Sequence, residues 1–134
     1  MKEVSRERYK GFKEKAEQYY AGMVVEYDAG RPNNCVTLAV HCAISWVDTF
    51  TVYKLGKKSS AQSHIEAITL LKEAKALDEK EKQTIAVSLY ELIEMKTPAE
   101  YEDGILGKKD AQRAMHLCKK IRDFFKKEFT AIEQ

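Results

Sequence analysis

The first side chains to consider for chemistry in this 134-residue sequence are three histidines, His41, His64 and His116, and three cysteines, Cys35, Cys42 and Cys118. A zinc site needs its ligands in short, regularly spaced pairs. A di-iron bundle needs Glu-x-x-His on two helices, and neither pattern occurs in the chain. No metal and no cofactor is therefore expected. The odd cysteine count reads as small buried core residues, and a thiolate nucleophile would need a neighbouring base that the sequence does not place. His41, inside an apolar stretch, reads as a core imidazole satisfied by a hydrogen bond. His64 reads as a polar group at a helix start. There is no glycine-rich phosphate loop, no Gly-x-Ser-x-Gly elbow and no His-Glu-x-x-His, which removes the common nucleotide-hydrolase and protease routes.

A second constellation is electrostatic. The net charge is only +2, but residues 61–103 hold 10 acids and 5 bases while residues 108–128 hold 8 bases and 3 acids. Lys109, Arg113, His116, Lys120 and Lys127 recur near one line of the last helix, a spacing that could meet successive phosphates. Asp123 lies on the same line and weakens it. The plainer reading is the solvated face of an amphipathic helix, its cations favoured near the C-terminus by the macrodipole.

These side chains must be positioned by helices. Tyr9, Phe12, Ala16, Tyr19, Tyr20, Met23, Val24 and Tyr27 recur at three- and four-residue steps, which predicts an amphipathic helix over 5–27. Gly30 and Pro32 stop it, and Asn33 or Asn34 is a candidate cap for the next. Residues 34–55 are apolar on nearly every side, which suits the middle of a bundle or a dimer interface. Capping-box patterns at Ser63 with Glu66, Asp78 with Glu81 and Thr97 with Glu100 predict helices at 63–76 and 79–95, then a short turn. After Gly104 and Gly107, an apolar stripe from Ala111 to Ile132 marks the last helix. The sum is an all-α, five-helix antiparallel bundle: a four-helix up-and-down core plus a short extra helix, in a single domain over 1–134.

Composition agrees, with 44% hydrophobic and 33% charged residues, six glycines and two prolines. Disordered and collagen-like classes are thereby excluded. No run approaches 18 consecutive apolar residues, so no membrane span is expected. The mixed-charge N-terminus and the cysteine usage point to reducing cytoplasm.

Taken in order, CVTLAVHCAISWVDTFTVYKLGKKSSAQSH and KTPAEYEDGILGKKDAQRAMHLCKKIRDFF resemble the HEPN superfamily of small helical domains, over roughly residues 5–129. The shared features are a small-residue-rich central helix bearing a histidine where His41 stands, a Leu-Gly helix end followed by a histidine like His64, and a tyrosine-containing turn before the last helix. The resemblance implies a homodimer and a role on nucleic acid, RNA included, or nucleotide, or docking to a nucleotidyltransferase-type protein partner, as in toxin-antitoxin and defence systems. In the family's ribonuclease branch an arginine and a histidine carry catalysis. The matching stretch here, Lys96-Thr97-Pro98-Ala99-Glu100-Tyr101, keeps the spacing but puts Lys96 and Tyr101 in their places.

Lysine lacks the planar fork that holds two phosphate oxygens, and a phenol with a pKa of about 10 is a poor base at neutral pH. The expectation is thus a non-catalytic binding module. Outside that role, Lys96 is a solvated helix-terminal lysine and Tyr101 a ring packed under the 104–107 loop. Tyr101 would otherwise be accessible to a nucleotidyltransferase and a candidate for modification. Two alternatives stand beside it. One is a metal-independent endoribonuclease with a rearranged site, which requires His64, His41 or His116 to come within hydrogen-bond reach of Lys96. The other is a structural or assembly dimer, motivated by the apolar second helix.

Overall fold

In the computed structural model, residues 1–60, 64–100 and 103–134 are described. A two-residue strand, β1 (Lys2–Glu3), and a single 3-10 turn (Arg6–Arg8) lead into α1 (Tyr9–Asp28). Then follow α2 (Pro32–Leu55), β2 (Lys57–Lys58), α3 (Ile65–Glu73), α4 (Glu79–Glu94), the five-residue α5 (Lys96–Glu100) and α6 (Lys108–Ile132). The all-α bundle expected from the hydrophobic period is present. Nothing in the residue pattern signals the small antiparallel sheet, which pairs Lys2 with Lys58 and Glu3 with Lys57. Two residues are too few to display the alternation that marks a strand.

The hub is α2. From Cys35 to Val52 its side chains are buried almost without interruption, and α1 and α6 pack along it. By length and composition α2 is apolar enough to cross a membrane, yet 78% of its most apolar window is buried inside this bundle. Most of its apolar surface is thus consumed within the chain, as the centre of a bundle requires. Gly22 of α1 faces Leu38 so closely that a Cβ there would lie 3.2 Å from the Leu38 Cδ1, which lets the two helices approach. Trp46 stacks nearly parallel to Phe125, with Phe50 and Phe129 completing an aromatic cluster between α2 and α6. On α6 the buried residues Ala111, Ala114, Leu117, Cys118, Ile121, Phe124, Phe125 and Phe129 follow the predicted stripe.

Helix boundaries follow local chemistry, with some departures from expectation. Asp78 caps α4, its carboxylate accepting from the Glu81 N–H at 3.0 Å, as the capping box predicted. Neither Asn33 nor Asn34 caps α2: Pro32 takes the first helical position, where its missing N–H costs nothing, and Arg31 becomes the N-cap residue. Helix α3 stops at Glu73 rather than residue 76 because Ala74 turns extended. The buried Lys82 of α4 then satisfies the end of α3, its Nζ donating to the Lys72 carbonyl at 2.9 Å and the Ala74 carbonyl at 2.6 Å. Thr97 lies within α5 rather than capping it, with Pro98 in the first turn, where proline is tolerated. Ser63, the first residue of another expected capping box, lies outside the described residues, as does Tyr101.

Candidate functional site

Helices α3 and α4 form an antiparallel hairpin, so the chain leaving α4 returns beside the start of α3. That topology brings together two residues 32 positions apart. Lys96, the first residue of α5, places its Nζ 2.9 Å from Nε2 of His64, the residue that opens α3. Both side chains are half-buried. Lysine Nζ can only donate as an ammonium, which makes Nε2 the acceptor of this contact. Lys96 is therefore not the solvated helix-terminal lysine expected from the sequence, nor is His64 merely a polar group at a helix start. The pair combines a cation with a group that can exchange protons near neutral pH, the two functions required for holding or attacking a phosphodiester.

The surroundings hold this end of the bundle in place. One residue into α3, Glu66 accepts from the Ser60 N–H at 3.2 Å and pairs with the Met1 ammonium, which holds its carboxyl below the usual range and ties the β1–β2 sheet to the start of α3. From the other side, Asn33 bridges α2 to the α5–α6 connection. Its Oδ1 accepts from the Leu106 N–H at 2.8 Å, and its Nδ2 donates to the carbonyls of Gly104 at 3.1 Å and Ala99 at 3.4 Å. Sequence reasoning offered Asn33 only as a helix cap. Its position just inside a helix that starts at Pro32 was the available signal that its side chain faces elsewhere.

The other candidates are dispersed. His41 is half-buried in α2, with its ring 5.5 Å from that of Tyr19. His116, Lys109 and Lys120 are exposed on α6. Arg113 is engaged by Glu91 in a two-pronged ion pair at 2.6 and 2.8 Å. Lys127 pairs with Glu81 at 3.3 Å and Lys119 with Asp123 at 2.6 Å. The shallow groove of about 440 Å³ beside His116 is thus lined by Glu81 and Asp123 as well as by lysines. Much of the positive charge that the sequence assigned to this face is compensated.

The three cysteines are free and fully buried. Burial pushes the Cys35 thiol up to about 11, and the hydrogen bond with Cys118, followed by burial, raises Cys42. They are core thiols, as expected. Among the described residues no group of three or more His, Cys, Asp or Glu is arranged to hold a metal ion.

Among solved structures the chain is similar to TT1696 from Thermus thermophilus, with a TM-score of 0.67 at 17% identity, covering 90% of this chain and 98% of that one. The likeness is one of fold. No family model matches the sequence, and no curated protein is significantly similar to it.

Proposed function

We propose that this protein is a HEPN-like module that binds RNA through its phosphates, with His64 and Lys96 at the contact site and no cleavage of its own. The observation that carries this reading is the 2.9 Å approach of the Lys96 ammonium to the His64 imidazole at the open end of the α3–α4 hairpin. A cation there attracts a phosphate oxygen, and the imidazole beside it holds the lysine in place. One lysine without a guanidinium fork is a weak stabiliser of a phosphorane, which favours binding over turnover. The proposed module is a homodimer. The partly buried residues of α2, Leu38 and His41 among them, and the exposed faces of the other helices are the surfaces such a contact would use. A nucleotidyltransferase-type protein partner belongs to the same proposal.

A second reading is favoured by the same contact. In a metal-independent endoribonuclease Lys96 would leave His64 for the phosphate and stabilise the charge developing on phosphorus, which frees Nε2 of His64 to take the proton of the ribose 2′-hydroxyl.

Incubation with an end-labelled structured RNA in the presence of EDTA, read on native and denaturing gels, separates the two. Binding without cleavage, weakened about tenfold in Lys96→Ala and in His64→Ala, is the expected result. Cleavage abolished by His64→Ala would establish the enzyme instead. Failure of the wild-type protein to shift any RNA would overturn both. Sedimentation over micromolar concentrations tests the dimer, which a strictly monomeric species would remove.

A further inference from the structure

A group of cations that make no ion pair among the described residues lies away from α6, at the end of the bundle where the N-terminal segment meets the end of α2. The β1–β2 pairing sets Lys2 directly opposite Lys58, with Lys57 beside them. Val4 continues the sheet, its N–H donating to the Gly56 carbonyl at 2.9 Å. Gly56 is left-handed at φ 68°, and a Cβ there would lie 3.7 Å from the Arg6 Cγ, so Arg6 lies against this turn. Arg6 and Lys54 line one shallow depression of about 300 Å³ with Glu7, Tyr9 and Tyr53. Arg8 and Lys58 share the Phe12 ring, at 6.0 and 5.4 Å from its centre.

Lys2, Arg6, Arg8, Lys54 and Lys58 thus gather at one end of the bundle, with Lys57 opposite Glu3 on the other face of the strand pair. Among the described residues none of the six makes an ion pair, in contrast to Arg113, Lys119, Arg122, Lys126 and Lys127 of α6, which all do. The acids in the same segments are Glu3 and Glu7 alone, so this one end carries more positive charge than the +2 of the whole chain. Like charges directly opposite across a strand pair destabilise it, and Lys2 facing Lys58 is such a pair. An anionic partner would relieve that repulsion.

We infer that this surface is a docking site for the phosphodiester backbone of RNA, leading the strand toward the His64–Lys96 pair. The inference rests on the RNA-binding reading above and adds where most of the phosphates are held. Two arginines suit phosphate, since each guanidinium can take two oxygens at once. The connection to the pair is structural: the sheet is tied to the first turn of α3 through the Met1–Glu66 ion pair, two residues from His64. Apart from Met1, the large exposed apolar side chains Val25, Ile65, Leu77, Val87, Tyr90 and Ile105 lie outside these segments, so the surface lacks the apolar wedge of a lipid-inserting site.

The test is fluorescence anisotropy of a fluorescein-labelled oligouridylate between about 50 and 200 mM KCl. It compares the wild-type protein, an Arg6→Gln, Arg8→Gln, Lys57→Gln, Lys58→Gln variant and a Lys109→Gln, Lys120→Gln control on α6. Affinity should fall about tenfold or more in the quadruple variant, and the plot of log affinity against log salt should flatten by roughly 0.7 for each phosphate no longer neutralised, with the α6 control close to wild type. If the quadruple variant melts early, the Arg6→Gln, Arg8→Gln pair should show about half of that flattening. An unchanged slope in both patch variants, while wild type binds, would overturn this inference and leave the RNA-binding reading standing. No binding by wild type would remove both. Tighter adsorption to phosphatidylserine vesicles than to RNA would also overturn it, by reassigning the surface to a membrane.

Discussion

Two buried carboxylates show how neighbours decide what a side chain does. Asp48, 7% exposed in the middle of α2, accepts at one oxygen from both the backbone N–H of Ser59 at 3.1 Å and its hydroxyl at 2.9 Å, anchoring the chain as it leaves β2. Burial pushes the Asp48 carboxyl up, and the two Ser59 bonds oppose that only in part. A raised pKa in the folded state means that Asp48 contributes stability below its unfolded value of about 4, and that this contribution is lost as pH rises through the folded value. Asp48→Asn keeps an acceptor for Ser59 and removes the charge, so its stability should gain on wild type as pH rises above about 4 in urea melts. Asp48→Ala should instead lose about 1–3 kcal/mol below about pH 4, since Ser59 is left with buried unsatisfied donors, and that deficit should shrink as pH rises. Glu128, 2% exposed, uses a carboxylate differently, accepting from the Leu77 N–H at 2.9 Å to hold the α3–α4 connection against α6.

At the scale of elements, short segments depend on single side chains from long ones. Helix α5 has five residues, too few to be stable by itself, and residues 103–107 before α6 are neither helix nor strand. Asn33 holds both by three hydrogen bonds from the first turn of α2. Asn33→Ala should lower stability by about 1–2 kcal/mol. It should also abolish hydrogen-exchange protection of the Leu106 amide while leaving that of α2 intact. Unchanged protection at Leu106 would mean that α5 and its loop are held by packing alone. Because Lys96 opens α5, the same substitution should loosen its contact with His64 and weaken any RNA binding that depends on the pair. Lys82 plays the corresponding part for α3, reaching from α4 to satisfy carbonyls that the helix leaves open.

For the whole molecule, closure joins the first helix to the last. Arg122 of α6 lies 4.2 Å above the Tyr20 ring and grips Glu17 of α1 at 2.8 and 3.1 Å, while Glu133 accepts from Lys13 at 2.9 Å and from the Tyr9 hydroxyl at 3.1 Å. The hydrogen bond from Arg122 holds the Glu17 carboxyl below the usual range, and that from Lys13 does the same for Glu133. A lowered pKa in the folded state means stability present above the unfolded value of about 4.3 and lost as pH falls through the folded values. Acid should therefore release α6 from α1, the reverse of the trend at Asp48. In an acid titration followed by circular dichroism, Glu17→Gln should flatten the loss. Arg122→Ala at neutral pH should cost about 1 kcal/mol, since the pair is partly solvated. An acid transition identical in wild type and Glu17→Gln would place the sensitivity elsewhere.

The order of residues alone specifies the helical class, the long helices to within a few residues and the buried stripe of α6, because hydrophobic period and capping are local and repeat along the chain. The enclosure of α2 is legible as all-round apolarity, though not whether a bundle or a second copy covers it. Which residues meet is settled by the fold in three dimensions. His64 and Lys96 come together because α3 and α4 fold back on each other, and the short strands exist because the N-terminus returns to the end of α2. The charge of α6 is visible in the sequence as a count but not as ion pairs, since Glu91 and Glu81 reach it from another helix. The cations at residues 2–8 and 54–58 are some 50 positions apart, and no local pattern records that a two-residue sheet makes them neighbours. Contacts of that separation are fixed by how whole elements pack, which is a property of the fold and not of any window of sequence.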